Sequence, residues 1–152
     1  MDQRHIVITG PTAGIGRASA LTLASHGAVL TLLCRNLEKG KSLAQEVVDA
    51  GGVEPTVVEM DMASIDSVRL AAERVIELGR PIDILLNNAG VINSHRRETI
   101  DGFEETFAVN HLAPFLLTGL LLPQILAAAP GARIVNVASG AHQFVKGMQF
   151  DD

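Results

Sequence analysis

The stretch Thr9-Gly10-Pro11-Thr12-Ala13-Gly14-Ile15-Gly16-Arg17 holds three glycines in a G-x-x-x-G-x-G spacing. A short apolar run, His5–Thr9, precedes it, and a helix-forming run through about Ser25 follows. Glycine permits a sharp turn and lets another group approach the backbone closely. A helix start then offers free N–H groups and the positive end of its dipole, which together suit a pyrophosphate. Gly10, Thr12, Gly14, Ile15 and Gly16 are the candidate contacts. A purely structural glycine turn is the competing reading. A second constellation, Cys34-Arg35-Asn36, closes an apolar run and has no carboxylate until Glu38. An acidic side chain at that point would bind both hydroxyls of an adenosine ribose. Arg35, 19 residues beyond Gly16, offers instead a planar fork for a 2′-phosphate. Arg35 and Asn36 are therefore read as cofactor residues, and NADP(H) as the cofactor over NAD(H). An ordinary surface arginine is the alternative. The third constellation is Asn87-Asn88-Ala89-Gly90, small and polar at the end of another apolar run. Asn87, Ala89 and Gly90 are candidates for nucleotide contact there, against a plain Asn/Gly turn.

These residues need elements to position them. Apolar runs at His5–Thr9, Ala28–Cys34, Val53–Val58, Ile82–Leu86 and Arg133–Val137 predict five strands. Between them lie helical patterns. Leu37–Ala50 ends at Gly51-Gly52. A helix capped by Ser64 buries Ile65, Val68, Ala72, Val75 and Ile76 and stops at Gly79 and Pro81. Two more helices are expected near Asp101–Val109 and His111–Ala129. Alternating strands and helices with apolar strands give an α/β fold. Right-handed crossovers make it a Rossmann-type doubly wound parallel sheet, here truncated after the fifth strand.

Bulk properties exclude several classes. Hydrophobic residues make up 47% of the 152 residues, enough for one domain's core. A net charge of −5 and scattered basic residues argue against nucleic acid as a partner. The single cysteine, Cys34, allows no internal disulfide, and no signal-peptide pattern opens the chain. The uncharged stretch His111–Gly131 is interrupted by Pro114, Thr118, Pro123 and Gln124, so a buried helix is expected there and no membrane span. A cytoplasmic location follows. His5, His26, His95, His111 and His142 show no metal-ligand spacing, so no metal is expected.

The three glycine- and asparagine-bearing motifs, in this order, resemble the short-chain dehydrogenase/reductase family. Cys34-Arg35-Asn36 and Ser139–His142, with the Phe150-Asp151-Asp152 ending, are similar to its retinol-dehydrogenase-like branch. The resemblance spans essentially all 152 residues. It implies an oxidoreductase that transfers hydride between NADP(H) and a small-molecule alcohol or carbonyl. It implies that Asp61 and Met62 meet the adenine. Asn110 stands where the family has its active-site Asn, which supports a proton relay, and Ser139 where it has the Ser that binds the substrate oxygen. The family's Tyr and Lys, which transfer the proton and hold the ribose, have no counterpart. The chain contains no tyrosine, and Lys146 stands too close to Ser139. Residues 1–152 are thus expected to be an incomplete NADP(H)-binding domain, without activity by itself. A non-catalytic nucleotide-binding or interaction protein and a truncated gene product are the alternatives. The open edge of Arg133–Val137 is expected to invite self-association.

Overall fold

The computed structural model describes residues 3–144 and residue 147. Expectations that fall on Lys146 and on Phe150-Asp151-Asp152 lie outside the described residues. The described chain runs β1 (His5–Thr9), α1 (Gly14–Ser25), β2 (Val29–Cys34), α2 (Leu37–Asp49), β3 (Thr56–Glu59), α3 (Ile65–Glu77) and β4 (Ile84–Asn87). It continues through α4 (Glu105–Phe107), a π-helical turn (Ala108–Leu112), α5 (Ala113–Leu126), β5 (Arg133–Asn136) and a 3-10 turn (Gly140–Phe144). All strand pairs are parallel, in the order β3-β2-β1-β4-β5. This is the doubly wound α/β sheet expected from the sequence.

β1 and β2 are buried at every position, as central strands covered on both faces must be. Successive side chains in a strand point to opposite faces. Val7 therefore joins a core with Leu33, Leu85, α3 and α5, while Ile6 and Ile8 join a second with Leu30, Leu32, α1 and α2. Ser64 caps α3 by accepting from the Ser67 N–H. Val68, Ala71, Ala72 and Val75 form the buried face of α3, whereas Ile76, expected there, is exposed.

Several boundaries move for identifiable reasons. β3 starts at Thr56, not Val53, because Pro55 has no N–H to give a ladder. β4 starts at Ile84 because the Ile82 N–H bonds to the Gln124 carbonyl instead. No helix starts at Asp101: its carboxylate accepts from the Ile65 N–H, capping α3 from a distance, and Gly102 has φ +81. Glu104 is the helix start, accepting from the Thr106 and Phe107 N–H groups. Those two bonds pull the Glu104 carboxyl below its ordinary range. The two expected helices are then one body, Glu105–Leu126, long and apolar enough to cross a membrane. Ala113, Leu117, Leu121 and Ile125 join the core with α3, while Phe115 and Leu126 are exposed. The helix expected to be buried thus buries one face. The cytoplasmic expectation rests on the sequence alone.

At the opposite end of the sheet from the functional loops, His5 joins three segments. The Pro81 carbonyl only accepts, so Nδ1, 3.0 Å away, carries the proton. Nε2 then accepts from the Thr31 hydroxyl at 2.8 Å. Burial pushes the His5 pKa below its ordinary value, against the opposing pull of the Pro81 hydrogen bond. Arg80 adds to the lowering and Asp83 opposes it. A folded state that resists protonation more than the unfolded chain is fully stable above the ordinary histidine pKa of 6.5 and loses stability as pH falls below it. The melting midpoint is therefore expected to drop between about pH 7 and pH 5, and to drop less in a His5→Gln variant. Equal losses in both proteins would assign the effect to other groups.

Candidate functional site

β1 and β4 are neighbours, yet the chain leaves β1 toward β2 and leaves β4 toward β5. The loops that follow them diverge and leave a crevice at the carboxyl ends of the strands. A cleft of about 670 Å³ occupies that place. It is lined by Gly10, Thr12, Gly14, Ile15 and Gly16 from the first loop, and by Arg35 and Asn36 after β2. Asp61 and Met62 after β3, and Ala89 and Gly90 after β4, complete it. Eleven of the residues singled out from the sequence are thus brought together.

The glycine loop requires glycine. Gly10 has φ +61, and a Cβ there would lie 2.9 Å from the Ala89 Cα. A Cβ on Gly16 would collide with the Gly10 carbonyl and the Asn88 amide. Gly14 has open space around it but φ +52. The loop delivers the start of α1 to the cleft. Asn36, Ser64 and Glu104 cap α2, α3 and α4 with their side chains, whereas Ala13 leaves α1 without a side-chain cap. The free N–H groups of that first turn suit an anion such as a pyrophosphate.

The wall after β2 has a cationic rim. Arg35 is exposed on it, and Lys39 lines it as well. Asn36 lies at the cleft, but its Oδ1 is engaged in capping α2 through the Lys39 N–H at 2.9 Å. Glu38 is paired with Lys41 at 2.9 Å. Asp61 is fixed by accepting from the Ala63 N–H and by donating its own N–H to the Ser67 hydroxyl, each at 2.9 Å. The Cys34 thiol is pushed up by burial and by Glu59, which suits packing better than reaction.

Three expected site residues do not line the cleft. Asn87 is buried, and its Nδ2 donates to Asn136 at 2.8 Å and Thr118 at 3.2 Å, pinning β4 to β5 and α5. The neighbour that sequence reading passed over, Asn88, lines the cleft instead. Its Nδ2 donates to the Thr9 and Gly10 carbonyls at 3.0 Å each. Asn110 sits in the π-helical turn beside the cleft. Its carboxamide clasps Val91, donating to the Val91 carbonyl and accepting from the Val91 N–H, both at 2.8 Å. Pro114 has no N–H to offer the Asn110 carbonyl, and the Ala113 N–H reaches back to Ala108. Ser139 lies beyond β5, two residues after the cleft residue Val137, and its hydroxyl accepts from the Ala141 N–H at 3.1 Å. Val91, Val109 and Val137 give this end of the cleft an apolar lining that no motif announced. No group of side chains able to hold a metal occurs among the described residues.

The chain belongs to the short-chain dehydrogenase/reductase family: the family profile described as "short chain dehydrogenase" matches residues 4–149. Its relatives include retinol dehydrogenase 13 of Homo sapiens, 42% identical over 98% of this chain and 45% of that protein. Retinol dehydrogenase 12 of Homo sapiens is 44% identical over 93% of this chain and again 45% of its own length. A metagenomic short-chain oxidoreductase solved in complex with NADP superposes with a TM-score of 0.79 at 34% identity, covering 91% of this chain and 63% of that one. The chain thus spans slightly less than half the length of these human relatives.

The Thr9 hydroxyl is the hinge pin of the cleft. Completely buried, it accepts from the Asn88 and Ala89 N–H groups at 3.0 and 2.9 Å. Thr9→Val keeps the shape and removes the acceptor, leaving two N–H groups without a partner. A loss of about 1–3 kcal/mol in unfolding free energy is expected by denaturant titration. A change under about 0.5 kcal/mol would show that the two loops hold without it.

Proposed function

We propose that this chain is the cofactor-binding part of an NADP(H)-dependent oxidoreductase that interconverts an alcohol and a carbonyl. The observation that carries the reading is the cleft itself. An uncapped helix start follows a glycine-only loop, and one rim is cationic where a ribose-binding carboxylate would stand for NAD(H). The NADP in the metagenomic relative supports the same choice. When bound, the dinucleotide supplies or accepts the hydride.

The chain's own residues have separable tasks in this reading. The loop Gly10–Gly16, with Thr12 and Ile15, receives the pyrophosphate on the first-turn N–H groups of α1. Arg35 holds the 2′-phosphate, and Asn36 shapes that rim by capping α2. Asp61 and Met62 bound the adenine. Ala89 and Gly90 form the wall beside the nicotinamide. Asn87 serves this wall from behind, as the tie between β4 and its neighbours. Asn110 fixes Val91 at the reacting end and stands where the family's Asn supports a proton relay. Ser139 hydrogen-bonds the substrate oxygen.

Proton transfer is the task these residues leave unfilled. A hydroxyl such as that of Ser139 orients an oxygen but is a poor acid near neutrality, and the chain contains no tyrosine. The group that delivers the proton belongs, in this reading, to residues outside these 152. The absence of tyrosine also favours a second reading, a nucleotide-binding protein without catalysis. An in-frame Tyr-x-x-x-Lys downstream of Asp152 in the coding sequence supports the enzyme; a stop codon supports the binding protein or a truncated product. Ile134 and Val135 on the open β5 edge are exposed, and pairing of that edge with a second copy is part of the same reading for the isolated chain.

Titration calorimetry is expected to show NADP⁺ bound more tightly than NAD⁺, and Arg35→Asp to reverse the order by placing a carboxylate against the 2′-phosphate. Tighter NAD⁺ binding by the parent would refute the cofactor assignment. The 152-residue chain is expected to turn over aldehydes and ketones about 10²–10⁴-fold more slowly than a protein that supplies the tyrosine. Full turnover by the chain, abolished by Ser139→Ala, would show that another group moves the proton.

A further inference from the structure

The adjacent cations Arg96-Arg97 open the segment Arg96-Arg97-Glu98-Thr99-Ile100, none of which lines the cleft. Thr99 is the one serine or threonine of the sequence with arginine both two and three residues before it. Two arginines at that spacing suit the acidic groove in which a basophilic protein kinase aligns a hydroxyl, and an apolar residue next in line suits the pocket beyond it. The structure presents this segment to solvent. Between β4 and α4 the chain forms no helix or strand, only an isolated bridge between Glu98 and Glu104. His95, Arg96, Arg97 and Glu98 are exposed. Arg96 pairs with Glu98, and among the described residues no ion pair engages Arg97. Ile100 is 88% exposed, where an apolar side chain gains nothing from the fold. The Thr99 hydroxyl is held lightly, accepting from the Phe103 N–H at 3.2 Å. Such a loop can be drawn out without dismantling the core.

We propose that Thr99 is a phosphorylation site for a serine/threonine kinase that reads arginines before the hydroxyl. The Thr99 oxygen forms a bond to the γ-phosphorus of a nucleoside triphosphate, and the bond from that phosphorus to the bridging oxygen breaks. The nucleoside diphosphate leaves, and the hydroxyl proton passes to the base of the kinase. The consequence follows from what the turn at Thr99 holds. The Thr99 N–H donates to the Phe103 carbonyl at 2.8 Å, and the Gly102 N–H to the Thr99 carbonyl at 3.0 Å. Inside that turn Asp101 caps α3, accepting from the Ile65 N–H at 2.8 Å. Glu104, just beyond it, accepts from the Thr106 and Phe107 N–H groups and starts α4. A phosphate on Thr99 adds about two negative charges beside Glu98, Asp101 and Glu104, with Arg96 already paired to Glu98. Repulsion then opens the turn and releases the Ile65 N–H from its remote cap.

The test incubates the folded chain with magnesium-ATP and the catalytic subunit of the cyclic-AMP-dependent protein kinase, with a standard arginine-serine peptide as the control for kinase activity. One added phosphoryl group is expected, placed on Thr99 by fragmentation mass spectrometry. Thr99→Ala is expected to lose it and Thr99→Ser to regain it on the new hydroxyl, so a loss through misfolding is told apart from loss of the acceptor. Arg97→Gln is expected to slow the reaction about tenfold or more, as loss of a charge-assisted hydrogen bond does. Hydrogen exchange at the start of α3 is expected to quicken several-fold in the phosphorylated chain. A folded chain left unmodified while the control peptide is consumed overturns the proposal, as does phosphate placed on another residue. Equal rates for the parent and Arg97→Gln overturn the recognition by arginine. Full modification with unchanged exchange at Ile65 overturns the opening of the turn.

Discussion

The wall of the cleft exists because two loops distant in sequence are tied by one buried hydroxyl and one half-buried carboxamide. Thr9 accepts from the Asn88 and Ala89 backbone, and Asn88 donates back to the Thr9 and Gly10 carbonyls. Both loops would otherwise leave polar backbone groups unpaired at the end of a parallel sheet, where the ladder stops. The tie also sets how closely the backbones meet. Gly10 rests against Ala89, and Gly16 against Asn88, at separations that exclude any side chain. The direction of α1, and with it the first-turn N–H groups, depends on that closeness.

The cleft has two chemically distinct ends. At the β2 side lie Arg35 and Lys39; at the β4–β5 side lie Val91, Val109 and Val137. A ligand with charge at one end and a flat, largely neutral ring at the other has a single favourable orientation in such a groove. The π-helical turn serves the second end. Its extra residue lets Val109 reach the cleft and Asn110 clasp Val91, while Ala113 and Leu117 four residues on return to the core with α3.

Much of this was legible in residue types and spacing. The five strands, their parallel arrangement and the glycine loop follow from apolar runs, strand–helix alternation and the conformations only glycine adopts. What the sequence concealed depended on three-dimensional phase. Asn87 and Asn88 are chemically identical, and alternation along a strand sends one into the sheet's interior and the other to the cleft; nothing in a dipeptide says which. Asp101 has the composition of a helix cap, and it does cap a helix, but the one that starts at Ile65. Gly40 belongs to no motif, and only laying α2 against Cys34 and Val57, each 2.6 Å from where its Cβ would stand, shows why it is glycine. Val137 enters the site through the pairing of β5 with β4, a contact between distant segments.

The strand order also governs when the site comes into being during folding. β1 pairs with β2 across a short crossover, but Thr9 and Asn88 are 79 residues apart. Contacts of such separation require loop closure before they return any stabilisation, so they belong to the slow part of assembly. Half-folded chains that contain β1, α1 and β2 would already present the glycine loop, yet without its opposing wall. A nucleotide that needs both walls binds only molecules in which the central pairing is complete. It therefore withdraws those molecules from the unfolding equilibrium in proportion to its concentration over its dissociation constant. On the NADP(H) reading, cofactor supply would then act on the lifetime of the folded chain.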